Sequence, residues 1–542
     1  MIYIYIYIIS FSLIGYGFLI SRFLEINKYS FGFLGLIGIT FFGFFSFFSS
    51  LFTKHDYFFN SIFVMIGLLI FIFSIKKISS FKKELINFFI IFVFLFLLIS
   101  VAKNHDDFPY YHFPYMILLT EYSHPIGLGL LNNGFRSPSS IFFISSMFYL
   151  PGIKFYLFHL TPALIMGFSN LLLLNLTLDK KIFYRNKFIN FLSLLSLVFI
   201  NIFFYRLAEH GTDRSGMIII IISIIYLLHL LNNSYKNEKN ENINYLKIIA
   251  IFICFAATIK PSFLIYSIFL LIPFFFKHTK FLFLNLFFTR TFYFCFSLLA
   301  FSVLFTFLNS SCLVFPISFT CFENLSWSID KNTIKEASIW FELWSKGGAN
   351  PNFIVGDRLE YISGFNWVDN WIKIYFFNKV SDFILGIFAL SIITFLFFYK
   401  KIEFDLKNKK KYQLLYFILI FLIIEWFLKH PTLRYGGYHI IGLIIFIPLS
   451  MLLGKTKLNF KKYQKKVFII LFITLFIFSS RNIIRLNYEY EKYSYNLFTN
   501  SQFKFIGGNE NFYFRYNNHI ENHKKTYRVL NFANKKIILI HK

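Results

Sequence analysis

Residues 2–20 read IYIYIYIISFSLIGYGFLI, and residues 31–52 read FGFLGLIGITFFGFFSFFSSLF. Neither run carries an Asp, Glu, Lys, Arg or His, and each is long enough to cross a hydrocarbon core as a helix. Residues 85–101 repeat the pattern, and 155–178 repeat it with His159 as their one exception. Lipid offers no partner for backbone N–H and C=O groups, so such blocks must be helical. The whole chain agrees. Of its 542 residues, 57% are hydrophobic and only 15% charged, too little polar surface for a soluble domain of this size. The expectation is an all-α polytopic membrane protein with about 12–14 transmembrane helices.

The first block has no basic residue before its apolar run and no small-residue cleavage site, so it reads as a retained helix. Heavy use of Phe, Ile, Tyr, Asn and Lys matches the codon bias of an AT-rich genome. The net charge of +28 therefore needs no nucleic-acid partner, and no basic stripe lies on a soluble domain.

Lys and Arg accumulate in cytoplasmic connections. Residues 76–83, 180–187, 400–411 and 455–466 are strongly basic; 22–28, 236–247 and 277–280 are weaker. Placing all of them inside closes an alternation of about fourteen spans with both termini outside. The connections left outside are 103–137, 206–215, 260–261, 309–370, 429–437 and the tail from Arg481. This predicts N-terminal helices over 1–102, plain and lipid-facing, then an acidic outer loop over 103–154. Within that loop, 138–151 is apolar, short and bounded by prolines, and should lie along the interface. Central helices (155–308), an outer loop (309–370), C-terminal helices (371–480) and a small outer tail (481–542) follow.

Cys254 and Cys295 fall inside apolar spans and read as inert core residues. Cys312 and Cys321 bracket a short stretch of the outer loop, where an oxidising compartment would let them close a disulfide; two unpaired thiols is the alternative.

The chemistry points to the outer ends of the spans. Residues 103–115 read KNHDDFPYYHFPY, with Asp106 and Asp107 beside His105 and His112. Charges at a membrane boundary are costly unless solvated, paired or used. A carboxylate there can serve as a general base toward a hydroxyl, or hold a divalent cation (Mg or Mn) with its neighbour; a simple helix stop is the plain alternative. Other outer connections supply cations: Arg136; His210 and Arg214 beside Glu209 and Asp213; Lys260 at a Lys-Pro break; Arg434 and His439 in 429–439; and Arg481. Such a set suits a phosphate or pyrophosphate at the headgroup plane, against ordinary snorkelling charges as the alternative. No Gly-rich phosphate loop, zinc spacing or Gly-x-Ser-x-Gly elbow is present at a usable place. Secondary transport would place charges near mid-span, where Glu425 and His229 are the main candidates.

The acidic pair in an early outer loop, the Lys260-Pro261 break and the Arg434-Tyr435 turn before a late span resemble the GT-C superfamily of multi-pass glycosyltransferases. Protein O-mannosyltransferases and aminoarabinose lipid A transferases belong to it. The Cys312–Cys321 segment is similar to one in bacterial GT-C-like proteins. The likeness runs from about residue 103 to 481 and rests on short motifs. It implies a GT-C-like fold in a bacterial inner membrane of the cell envelope, with the site facing the periplasm. It also implies a polyprenyl-phosphate-linked sugar donor, transferred with inversion to a glycan, lipid or protein. Asp106 or Asp107 would be the catalytic base or metal-associated acid; Lys260, His210, Arg214 and Arg434 would hold the donor phosphate. In better-known members the acidic motif follows the first span, whereas here about three spans precede it. The rival readings are an O-antigen-type polymerase or ligase, and a non-enzymatic flippase or transporter of lipid-linked sugars.

Overall fold

The computed structural model describes residues 2–78, 80–100, 107–233, 239–350, 353–399, 410–493, 527–532 and 535–540. Helices dominate: α1 (Ile2–Phe23), α2 (Phe31–Ser50), α3 (Tyr57–Ser74), α4 (Phe81–Ile99), α5 (Phe113–Glu121), α6 (Ser140–Ser146), α7 (Leu160–Thr177), α8 (Lys180–Phe203), α9 (Leu207–His210) and α10 (Thr212–Asn233). They continue as α11 (Lys239–Ile259), α12 (Lys277–Leu286), α13 (Arg290–Ser310), α14 (Lys331–Lys346), α15 (Arg358–Ile362), α16 (Val368–Trp371), α17 (Ser381–Phe398), α18 (Lys410–Lys429), α19 (Gly437–Gly454) and α20 (Phe460–Tyr493). A π-helical turn (Phe108–His112) leads into α5, and a π-helical stretch (Ile372–Val380) joins α16 to α17. A 3₁₀ segment, Pro261–Phe275, follows α11. Strands β1 (Tyr527–Phe532) and β2 (Lys535–Ile540) form an antiparallel hairpin.

Short polar connections start the helices. Ser30, Asp56, Asp179 and Thr289 each accept a hydrogen bond from a first-turn N–H of the helix they precede, satisfying donors the helix leaves open. Among the described residues, twelve helices are long and apolar enough to cross a membrane. Two further apolar elements fall short of that standard: α4, with Lys82, Lys83 and Glu84 in its first turn, and the shorter Pro261–Phe275 segment. Apart from the terminal hairpin the described residues are helical, and the protein has the helices of a multi-pass membrane protein.

The bundle has two ends. At one, Lys247 Nζ reaches Leu24 O (2.9 Å), Lys187 Nζ reaches Thr456 O (2.8 Å), and Arg185 pairs with Glu241. These contacts join basic connections to one another. At the other end, His55 meets Ser146, Gly127 N bonds Leu308 O, and Asn309 bonds Phe135 O (2.7 Å). These contacts match the alternation that the lysines predict.

Two expectations need correction. The first two helices are not plain lipid-facing spans: α1 and α2 are largely buried, whereas α3 is mostly exposed as expected. The reason is glycine. A Cβ on Gly17 would lie 1.8 Å from Leu34 O, one on Gly38 1.9 Å from Leu13 O, and one on Gly15 2.1 Å from Gly67 O. Small residues let these backbones touch, which is how helices gain packing in lipid. Nor is 138–151 an exposed segment. Every residue of α6 is buried, with Ser145 Oγ bonded to Thr161 Oγ1 and Ser140 Oγ accepting from Thr258 Oγ1. Its hydroxyls find partners in protein, so the short helix plugs the end of the bundle. α20 runs on past Arg481 to Tyr493.

Candidate functional site

Three chain breaks at the end opposite the basic connections place the central charges. Asp213 stands in the first turn of α10, just after Gly211, whose φ of +48° lets the chain turn from α9 into α10. Lys260 follows α11 in an extended conformation (φ −152°, ψ 125°), the geometry a residue before proline prefers. Arg434 sits in a 3₁₀ turn, Leu433–Tyr435, between α18 and α19. That turn is clamped: Trp426 Nε1 donates to Thr432 O (2.6 Å), Trp371 Nε1 to Pro431 O (2.8 Å), and Leu433 N to Tyr375 Oη (3.0 Å).

The three converge. Lys260 Nζ lies 2.5 Å from Asp213 Oδ1, and Arg434 Nε donates to Asp213 Oδ2. Arg434 Nη2 then reaches Asp107 Oδ2 at 3.0 Å. The result is an alternating line of charge, Asp107–Arg434–Asp213–Lys260. Asp213 is 3% exposed and wholly engaged; Asp107, Arg434 and Lys260 are each about a third exposed. Alternation makes the burial tolerable, because an isolated ion there would lose several kcal/mol of hydration.

Aromatic rings border the line. Lys260 Nζ stands 4.0 Å from the Tyr435 ring centre, and the Arg434 guanidinium 5.9 Å from that of Trp344. Trp344 comes from α14, so this outer-loop helix covers the cluster; its Ser345 Oγ lies 3.4 Å from His430 Nδ1. Burial opposes the charge on Arg434, but the Asp213 and Asp107 carboxylates outweigh it and hold the guanidinium well above its ordinary pKa. Burial pushes His430 down to about 4, so its imidazole is neutral at pH 7.

The structure thus gathers Asp107, Lys260 and Arg434. Arg214 flanks them, its guanidinium over the rings of Phe204 and Tyr438. Asp106, His105 and the His210 side chain lie outside the described residues. His112 is buried one ring away, 4.4 Å from Tyr111 and 4.8 Å from Phe142 between ring centres. Two candidates are held by contacts of their own. Arg136 is buried and donates to Gly129 O (3.2 Å) beneath the Phe315 ring, so it holds a loop together. His439 is fully buried between Tyr266 and Phe263 and bonds to none of the described residues. Cys312 and Cys321 are joined as a disulfide.

Asp213 is the residue that sequence reasoning undervalued. Its signal was its position: an acid heading a long apolar run is buried by that helix and must find cations. Trp344 reads in the sequence as one of four outer-loop aromatics of an interface or cleft, and Tyr435 as part of the Arg434-Tyr435 turn; the structure adds which cation each ring meets. Among the described residues, no group of three or more His, Cys, Asp or Glu could hold a metal ion. A divalent ion at Asp107 would also sit beside the Arg434 guanidinium, which already occupies Oδ2.

A family model described as a domain of unknown function (DUF8201) matches residues 1–441. The chain belongs to this family. The DUF8201 segment contains Asp107, Asp213, Lys260, Trp344 and Arg434, and it stops within α19, leaving α20 and the hairpin outside. No curated protein and no solved structure matches the chain.

Proposed function

We propose that this protein is a membrane glycosyltransferase of GT-C type. It would move a sugar from a polyprenyl-phosphate donor to a glycan, lipid or protein acceptor on the extracytoplasmic face of a bacterial inner membrane. The observation that supports this reading best is the line Asp107–Arg434–Asp213–Lys260 at the ends of the spans, where a phosphate anchored by its lipid would arrive. The orientation rests on the basic connections, which collect at the opposite end.

The division of labour follows from exposure and pairing. Asp213 is spent on fixing the two cations. Asp107 keeps a partly exposed carboxylate and acts as general base toward the acceptor hydroxyl. The acceptor oxygen bonds to the anomeric carbon as the bond from that carbon to the phosphate oxygen breaks on the opposite face, inverting the centre. The proton goes to Asp107, and the negative charge on the departing polyprenyl phosphate is met by Lys260 and Arg434. The test is sugar transfer by purified protein in vesicles, supplied with a polyprenyl-phosphate sugar and a hydroxyl acceptor. Asp107→Asn and Asp106→Asn variants are compared with the native chain. Loss of transfer in Asp107→Asn with donor binding retained supports the reading; full activity in both variants overturns the assigned base.

A further inference from the structure

The disulfide loop has two faces of opposite character. From Ser310 to Phe322 the sequence carries no charged residue; the first is Glu323, which pairs with Lys331 at 3.0 Å. The inner face is packed. Cys312 and Phe315 are buried with Ile329 and with Ile334 of α14, and Ala337 and Phe341 lie against the same cluster. The outer face is open: Leu313, Ile317 and Phe322 are exposed, and Phe319 is 87% exposed.

Four apolar side chains facing water on an uncharged loop call for a partner. What lies beside them says which. Along α13, residues Tyr293, Phe296, Ala300 and Val303 are exposed at helical spacing, a stripe that faces lipid in a membrane span. One turn further, the Phe307 ring meets Phe322 edge-on at 5.7 Å and Trp327 at 6.0 Å, and Trp327 Nε1 donates to Phe307 O (3.2 Å). The lipid-facing stripe therefore runs without a break from the span into the loop. Aromatic and apolar groups at the end of a span favour the headgroup boundary.

We propose that the Cys312–Cys321 loop is a membrane anchor. Leu313, Ile317, Phe319 and Phe322 enter the boundary between headgroups and acyl chains, where phospholipid is their partner. The buried face of the same loop fixes the start of α14, whose far end carries Trp344 over Arg434. Anchoring thus sets the height of that cover above the bilayer. This inference stands on the loop and α13, independently of the chemistry assigned to the site.

The experiment places a photoreactive benzophenone amino acid at position 319 of the full chain in phosphatidylethanolamine/phosphatidylglycerol vesicles. Mass spectrometry then reads the adducts after irradiation. Position 313 provides a second probe on the same face, and position 323 a control at the charged edge. Phospholipid adducts at 319 and 313, several-fold above 323, are expected. Equal labelling at all three positions, cross-links between two copies of the chain, or no lipid adduct at 319 and 313 would overturn the proposal.

Discussion

The two ends of the bundle use their cations differently. At the basic end, lysines close helices. Lys247 meets Leu24 O just beyond α1, Lys187 meets Thr456 O just beyond α19, and Lys466 meets Phe397 O (2.5 Å) in the last turn of α17. Those carbonyls lie at or just past the C-terminal ends of α1, α19 and α17, the negative pole of each helix, so a lysine there needs no function beyond ending the helix. At the other end, Arg481 does the same work on Ile202 O of α8. Lys260 and Arg434 do not: both turn to Asp213, and Arg434 also holds Asp107. A cation tied to a carbonyl has its role explained by the fold. One tied to a buried acid, beside a second and more exposed acid, does not.

The sharpest way to break this contrast is to remove the shared acid. Asp213→Ala leaves two partly buried cations beside each other. It should lower unfolding stability by about 3 kcal/mol, the low end for breaking a buried pair because the cations are a third exposed. Thermal unfolding in detergent measures it. Adding Lys260→Met should restore part of the loss by removing one unpaired charge. A stability unchanged by Asp213→Ala would show that the line is not an energetic unit.

A subtler change keeps the charge and removes the fork. In Arg434→Lys one ammonium cannot span Asp213 and Asp107 as the guanidinium does. Transfer activity should fall by about tenfold to a hundredfold, the equivalent of one or two charge-assisted hydrogen bonds. The melting temperature should move much less than in Asp213→Ala. Equal activity would mean that the link to Asp107 is incidental.

How far the sequence showed this arrangement depended on distance along the chain. The spans were legible because each is a contiguous apolar run. The two ends were legible because basic residues cluster in connections. Lys260 and Arg434 were legible as cations at chain breaks. Which acid they would meet was not: Asp107 and Arg434 are separated by 327 positions, and Asp213 reads no differently from Glu209 nearby. The burial of α6 was hidden for a similar reason. Seven apolar and hydroxyl residues between prolines suit an interface as well as an interior, and the partners that decide, His55, Thr161 and Thr258, lie elsewhere in the chain.

The plug around α6 gives a pH test. His55 is fully buried, its Nε2 2.9 Å from Ser49 Oγ and its Nδ1 2.7 Å from Ser146 Oγ. Burial, against a smaller opposing pull from Asp56, pushes its pKa from 6.5 down to about 3. The unfolded chain therefore takes up this proton first as pH falls. The stabilisation is complete above about pH 6.5 and declines by about 1.4 kcal/mol per pH unit below it, until the folded imidazole protonates near pH 3. Melting temperatures from pH 7 to 4 should show the decline, and a His55→Gln variant should flatten it. No difference between the two profiles would remove His55 from the account.

The smallest effect belongs to the basic end. Lys187→Met keeps the apolar stem against Phe183, whose ring centre lies 4.9 Å from Nζ, and loses the bonds to Thr456 O and Leu458 O (3.4 Å). Each of these two hydrogen bonds is open to replacement by water and worth about 1 kcal/mol, so unfolding stability should fall by no more than about 2 kcal/mol. Transfer activity should stay at the native level, since no acid at the far end feels the change. If Lys187→Met instead reduced transfer as much as Arg434→Lys does, the division between helix-closing and acid-bound cations would fail. The site would then have to extend through the membrane to the basic connections.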